Sequence, residues 1–131
     1  MPHRLRWLLV ALAWMLIIFW FSSQPQLPGF ADDFLELLFK KGSHALAYGI
    51  LWTLLWLGTG RPWLALVMSL LFAISDELHQ TFVPGRNGWW VDVAVDAVGA
   101  LLAFWFGTGR WGHQFFRRLG VEPALDHDVT E

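Results

Sequence analysis

The chain has 131 residues, of which 56% are hydrophobic and 15% are charged, and its formal net charge is −2. A soluble domain is typically about 45–50% apolar and about 25% charged, so this composition favours a membrane protein. The lack of cysteine excludes disulfides and thiolate catalysis, and the small negative charge gives no reason to expect nucleic acid as a partner.

Four apolar segments predict an all-α fold, a bundle of four transmembrane helices over about residues 5–23, 43–58, 62–82 and 89–106. None alternates in polarity for long enough to predict a strand. Several are shorter than the roughly 20 residues that cross a bilayer core, so their polar flanks must complete the crossing. No A-x-A-like cleavage site follows the first segment, so we expect it to be retained as a span. Residues 1–110 are thus one predicted transmembrane domain.

The connection between the first two spans contains "ADDFLELLFKKG", residues 31–42. Acids at its start, lysines at its end and Gly42 after them are typical of a short helix that stops at the glycine. Its apolar residues favour a position at the membrane interface. Ser43 is then the predicted N-cap of the second span.

The outer end of the third span carries two acids, Asp76 and Glu77, close to the predicted C-terminus of a helix. The helix dipole disfavours acids there, which indicates that they have partners elsewhere. The turn "VPGRNG" follows and displays Arg86.

The fourth span places Asp92 and Asp96 four residues apart, on a stripe that continues through Gly99 and Ala103. Asp96 lies about 10 Å deeper than Trp89 at 1.5 Å per residue. An acid facing lipid at that depth costs about 2–3 kcal/mol, so we predict that Asp96 faces inward. The small residues beside it favour close approach of another helix.

The tail, residues 111–131, begins with an amphipathic stretch suited to an anionic membrane surface and ends in an acidic segment that we expect to be disordered. Basic residues near the span ends set orientation. Six lie on one side and three on the other, which predicts that both termini are cytoplasmic and that the polar segment of the third and fourth spans faces outward. The six are Arg4, Arg6, Arg61, Arg110, Arg117 and Arg118, and the three are Lys40, Lys41 and Arg86.

The short connections bring the outer ends of the second, third and fourth spans together. We therefore predict one outward-facing polar pocket, lined by binding residues from the outer ends of all three spans. Any one member is also explained by a structural hydrogen bond between helices. The predicted binding residues are Lys41, His44, Tyr48, Asp76, Glu77, Gln80, Arg86, Asp92 and Asp96, with His79 nearby.

These motifs resemble the VanZ-like family of small bacterial membrane proteins. The similarity begins with "FSSQP", continues with "KKGSHALAYGIL", and is strongest over "SDELHQTFVPGRNGWWVDVAVDAVG". Asp96 departs from the pattern, since many relatives have asparagine there. The resemblance implies a multi-pass protein of the bacterial cytoplasmic membrane. It also implies an effect on susceptibility to the glycopeptide teicoplanin, without established catalytic residues.

The favoured hypothesis is a non-enzymatic protein that binds a lipid-linked or amphiphilic molecule of the cell envelope, such as a lipid-linked envelope precursor or a glycopeptide. Membrane lipids are the expected surroundings. Arg86 and Lys41 would bind an anionic headgroup, while aromatic residues hold its chain. No motif predicts a cofactor or a bound metal.

An enzyme that modifies such a headgroup is the alternative. Glu77 or Asp92 would be the general base, His44 or His79 a proton shuttle, and Arg86 would stabilise developing negative charge. A variant adds a divalent metal held by the two histidines with Glu77 and Asp92.

A proton-coupled small transporter is the third hypothesis, in which the intramembrane acids would be relay sites. Four short spans would form a transport path only as a homo-oligomer, so this hypothesis includes assembly of several copies of the chain.

Overall fold

The computed structural model describes residues 3–25, 33–86 and 90–121, and these ranges contain helices and turns without any strand. The predicted all-α class is confirmed. In chain order the helices are α1 (His3–Ser22), α2 (Asp33–Thr59), α3 (Pro62–Gln80), α4 (Trp90–Thr108) and α5 (Arg110–Arg118).

Three helices in the described part of the chain, α1, α3 and α4, are long and apolar enough to cross a membrane. They present large apolar side chains outward: Leu16, Trp20, Leu71, Leu102 and Trp105 are each at least 60% exposed. Such a surface is unfavourable in water and favourable against lipid.

The predicted break at Gly42 is wrong, because α2 runs continuously through it for 27 residues, about 40 Å at 1.5 Å per residue. Ser43 is no N-cap either, since its hydroxyl donates to the carbonyl of Lys40 within the helix. Gly42 is absent from the glycines with positive φ. A glycine costs a helix only about 1 kcal/mol relative to alanine, which is too little to stop a helix whose next turns pack against three others.

α2 is the central helix of the bundle. It contacts α1, α3 and α4, whereas α1 and α4 make no contact with each other within the described residues. The C-terminal half of α2 is buried around Trp52 and Trp56, whose rings stack with centroids 5.0 Å apart. The predicted second span, residues 43–58, falls on this enclosed half. Much of this half faces protein, so it tolerates polar and aromatic residues that lower its hydropathy, although Leu46 remains 66% exposed.

The helices alternate in direction. Gly60 adopts a positive φ of 72° and Pro62 occupies the first turn of α3, so the chain reverses sharply between α2 and α3. α1 and α3 therefore end at one end of the bundle, where α4 begins. At the opposite end α5 folds back, and the Phe116 ring meets the Trp56 ring edge-on at 5.6 Å.

The span boundaries agree with prediction to within two residues for α1, α3 and α4. The predicted turn at Asn87 and Gly88 and the acidic end of the tail, residues 122–131, lie outside the described residues.

Candidate functional site

Polar side chains from four helices gather where α1 and α3 end and α4 begins. We call this region the polar end. Two of its acids, Asp76 and Asp96, are only 1% exposed. The alternating directions of the helices bring these residues to the same level although they are far apart in sequence. The polar end consists of Ser22, Lys41, His44, Tyr48, Asp76, Glu77, Gln80, Arg86, Asp92 and Asp96.

One hydrogen-bonded chain joins α1 to α3 and to the turn after it. Ser22 Oγ donates to Asp76 Oδ2 at 2.6 Å, and Gln80 Nε2 donates to the same oxygen at 3.2 Å. The other side of the Gln80 amide, Oε1, accepts a 2.9 Å hydrogen bond from Arg86 Nη1. Arg86 Nη2 also donates to the carbonyl of Phe21 at 3.4 Å. Gln80 thus links a buried carboxylate to a half-buried guanidinium.

Two acid–base pairs join α2 to α4. Lys41 Nζ forms an ion pair with Asp92 Oδ1, and one turn deeper His44 Nδ1 lies 3.1 Å from Asp96 Oδ1. The helices run in the same direction here, so successive turns of one face successive turns of the other. Just below, a methyl group at Gly99 would collide with the backbone of Ala45. The predicted inward position of Asp96 and the close approach at Gly99 are both observed.

Tyr48 lies between these two networks. Its side chain is 1% exposed, and Asp76, Asp96 and Glu77 are close enough to act on it electrostatically. Asp96 Oδ2 is buried without a hydrogen-bond partner among the described residues. The Tyr48 hydroxyl interacts with the Asp76 carboxylate, but neither this hydroxyl nor Asp76 Oδ1 makes a well-formed hydrogen bond among the described residues. Buried polar atoms are normally satisfied by protein, water or ligand. The polar end therefore contains unused hydrogen-bonding capacity on three helices.

An apolar groove of about 500 Å³ lies beside the polar end, between α2 and α4. It starts one turn below the Lys41–Asp92 pair. Thr53 is the one polar side chain among the lining residues, and its hydroxyl donates a hydrogen bond to the carbonyl of Gly49. The groove is lined by Ala45, Leu46, Gly49, Ile50, Thr53, Leu54, Gly99, Leu102 and Ala103.

The family model described as VanZ/LLP1 matches residues 7–108, which include most of α1 and all of α2, α3 and α4. The chain belongs to the VanZ/LLP1 family. The resemblance seen in the sequence is thereby confirmed. No curated protein and no solved structure matches the chain.

The match to the VanZ/LLP1 family contains every predicted binding residue, and the structure places all nine at the polar end. They form separate networks, however. Asp92 pairs with Lys41, whereas Arg86 donates hydrogen bonds to the neutral oxygens of Gln80 and Phe21. Glu77 is 6% exposed, and its charge acts on both Lys41 and Tyr48.

His79 faces a different helix from His44. Its Nε2 lies 3.1 Å from Ser23 Oγ, and its ring stacks on Phe19 with centroids 4.3 Å apart. The hypothetical metal ligands His44, His79, Glu77 and Asp92 are therefore not gathered around one point. Among the described residues of this VanZ/LLP1 chain, no group of three or more histidine and acidic side chains is placed to hold a metal ion.

The contribution of α1 to the site was not predicted. Ser22 is 4% exposed and bonded to Asp76, and Ser23 contacts His79. A signal was present in the sequence, because two serines stand directly after an apolar span on the side predicted to carry the acids. They belong to the "FSSQP" motif of the family resemblance, but nothing in the motif assigns them partners on the third span.

Proposed function

We propose that this VanZ/LLP1 protein binds the headgroup of a lipid-linked or amphiphilic molecule of the cell envelope at its polar end. The observation that carries the proposal is the set of three buried atoms on Tyr48, Asp76 and Asp96 that make no well-formed hydrogen bond within the described residues. Two of the three are carboxylate oxygens, which accept hydrogen bonds and do not donate them when ionised. A headgroup with hydroxyl, amine or amide donors would complement them, directly or through a bridging water.

Arg86 is the cation best suited to an anionic part of the same headgroup. It is half-buried, and its hydrogen bonds go to the uncharged oxygens of Gln80 and Phe21. A guanidinium binds a carboxylate or phosphate more strongly than it binds neutral oxygens. Lys41 was expected to share this role, but its ion pair with Asp92 already engages it. The preferred ligand is therefore an amphiphile that combines an anionic group with several hydrogen-bond donors.

The proposal includes a topology of four spans in the bacterial cytoplasmic membrane, with α2 as the second span. α2 is enclosed by three apolar helices, which supports a crossing despite its lower hydropathy. Arg61 and α5, with its arginines, lie at the end opposite the polar end. The positive-inside rule then favours cytoplasmic termini and an outward-facing polar end.

The proposal is tested by comparing the lipids that co-purify with the full chain against those of the membrane it came from. Wild-type protein, extracted in a mild detergent, should retain one amphiphile above its share of the bulk extract, as measured by mass spectrometry. Arg86→Lys should lose this enrichment, because an ammonium lacks the planar fork of donors with which a guanidinium binds an anionic group bidentately. Arg61→Lys makes the same substitution at the opposite end of the bundle and should keep it.

A wild-type lipid profile equal to that of the bulk membrane would contradict binding. Enrichment that survives Arg86→Lys would place the recognition elsewhere. Both results need protein that elutes as a single species in size-exclusion chromatography and has wild-type helix content.

An enzymatic function is the second candidate, and the His44–Asp96 pair favours it. A carboxylate that holds one imidazole nitrogen orients the ring for proton transfer at the other. Here the pair lies beside Tyr48 and close to Asp76. An enzyme would generate a new headgroup species in lipid extracts of cells that express the wild type, and His44→Gln would abolish that species. Extracts that differ only in the amount of unmodified lipid support the binder.

We extend the proposal to glycopeptide susceptibility, since the family resemblance implies an effect on teicoplanin. Binding of an acyl-tailed amphiphile at the outer face of the membrane is a physical route to such an effect. Cells that express the wild type should tolerate more teicoplanin than cells that express Arg86→Lys, with equal amounts of protein in the membrane. Equal susceptibility would remove this extension and leave the binding proposal to its own test.

A further inference from the structure

The groove between α2 and α4 continues the stripes of residues that form the acid–base pairs. Lys41 precedes Ala45 by four residues on α2, and Asp96 precedes Gly99 by three on α4. These steps correspond to about 6 Å and about 4.5 Å along the helix axes. Charged groups are therefore followed, along both helices, by apolar groove residues, in the order in which a headgroup and its hydrocarbon chain follow one another in a lipid.

We infer that this groove takes the hydrocarbon chain of the amphiphile whose headgroup binds at the polar end, which makes the ligand class a lipid held by both of its parts. The inference rests on the proposed function. Its chemical basis is complementarity, because the groove offers no free polar group while the residues above it are ionised or hydrogen-bonding. Its volume of about 500 Å³ lies within the roughly 300–1,000 Å³ of ligand pockets.

The dimensions of the groove favour a chain over a helix of a second copy. It extends from Ala45 to Leu54, nine helical steps or about 13 Å. A volume of about 500 Å³ over that length gives a mean cross-section of about 40 Å². A linear hydrocarbon chain is narrow enough to lie within the groove, whereas a helix 10–12 Å across has a cross-section of about 80–110 Å² and could only pack over it.

The small residues that usually attract a second helix are already in use. Gly99 lies so close to Ala45 that even a methyl group would not fit between the two helices. An alanine Cβ at Gly49 would lie 3.2 Å from the carbonyl oxygen of Gly99. The floor of the groove is thus the contact between α2 and α4 itself, and little small-residue surface is left for helix packing from outside.

Photo-crosslinking in vesicles tests the inference. The full chain is reconstituted into phosphatidylethanolamine–phosphatidylglycerol vesicles with a trace of phosphatidylglycerol that has a diazirine in its acyl chain. After irradiation, adducts are mapped by mass spectrometry. Leu102 in the groove and Leu71 on α3 are both 61% exposed, so simple contact with lipid predicts equal labelling. A held chain predicts an excess on the groove residues.

Two pairs of variants separate the groove from the rest of the lipid-facing surface. Leu102→Trp should lower labelling of the groove on α2 about tenfold, as expected when about two methylene groups lose their contacts. Leu101→Trp changes the neighbouring residue, which does not line the groove, and should leave labelling unchanged. A second pair is used in case Leu102→Trp fails to fold. Thr53→Phe enlarges a groove residue and should lower labelling, whereas Val67→Phe enlarges a side chain of similar size outside the groove and should not.

Uniform labelling of all exposed residues would overturn the inference, and so would protein–protein crosslinks at the groove, which would indicate a second copy. Failure here is distinguishable from failure of the proposed function. If labelling is uniform but Arg86→Lys still removes the enriched amphiphile, headgroup binding stands and the chain lies elsewhere. If the groove is labelled in excess while Arg86→Lys keeps the enriched amphiphile, the groove holds a hydrocarbon chain and only the headgroup site at Arg86 fails.

Discussion

Ser22 at the end of α1 donates a 2.6 Å hydrogen bond to Asp76 Oδ2 on α3, and the two residues are 54 positions apart in the chain. The Ser22 side chain is 4% exposed and Asp76 is 1% exposed, so water does not replace this bond easily. It links α1 to the acids of α3. The bond therefore serves both to fasten the helix ends and to orient a carboxylate of the site.

Ser22→Ala should destabilise the protein by about 1–3 kcal/mol, because it removes a donor from a buried carboxylate. Ser75→Ala on α3 is the matched control. Ser75 is exposed, and its hydroxyl donates to the carbonyl of Phe72 within α3, so its loss should cost about 0.5 kcal/mol or less. Unfolding in detergent micelles measures both. Equal effects of the two substitutions would show that the bond to Asp76 adds nothing specific.

Removing one partner of the Lys41–Asp92 pair should destabilise the fold more than removing both. Lys41 is 26% exposed and Asp92 is 10% exposed, which places the pair between a surface and a buried ion pair. We expect Lys41→Met to cost about 1–3 kcal/mol, since Asp92 would be left without its cation.

The double variant Lys41→Met with Asp92→Leu should recover part of that loss, because no uncompensated charge remains. A double-mutant cycle on unfolding free energies in micelles isolates the coupling. Additive effects of the two single substitutions would mean that the pair is too well solvated to matter.

The fold was largely readable from apolar segments, but the continuity of α2 was not. Gly42 follows two lysines and precedes a serine, which is a typical local signal for the end of a helix. The prediction of a break relied on this signal, because the packing of α2 cannot be seen in the sequence. The deciding fact is tertiary, because α2 is enclosed by three helices and its packing overrides a propensity cost of about 1 kcal/mol.

The gathering of these polar residues at one end of the bundle was predictable from the sequence, but the pairs that they form were not. The sequence placed the acids of the third and fourth spans at one end, because helix period and short connections determine level and face. Which base meets which acid depends on the rotation of each helix about its axis. The pairing of Asp92 with Lys41, and the turn of His79 toward Phe19, follow from those rotations.

Asp96→Asn should be tolerated far better than Asp96→Leu. Asn keeps an oxygen for His44 and removes only the charge, while Leu leaves the half-buried imidazole without its partner on α4. We expect about 1 kcal/mol or less for Asn and about 1–3 kcal/mol for Leu, from the cost of an unsatisfied buried group.

Unfolding of both Asp96 variants in the same detergent provides the measurement. The amphiphile enrichment of Asp96→Asn then reports whether the site needs an acid at this depth. If Asp96→Leu were as stable as the wild type, the pair with His44 would not contribute to the fold.

Gly99→Ala and Gly42→Ala should change stability in opposite directions although both replace a helical glycine with the best helix former. At Gly99 the new methyl group would collide with the main chain of Ala45, which no side-chain rotation relieves. α2 and α4 would have to separate, at about 3 kcal/mol, the upper range for overpacking. At Gly42 no atom lies within 4 Å of the new methyl group. A gain of about 1 kcal/mol is expected there from helix propensity alone.

Unfolding midpoints of the Gly99→Ala and Gly42→Ala variants, measured in one detergent, test whether the two stability changes have opposite signs. A loss of stability in Gly42→Ala would mean that α2 breaks at this residue, and unchanged stability in Gly99→Ala would mean that α2 and α4 do not touch there.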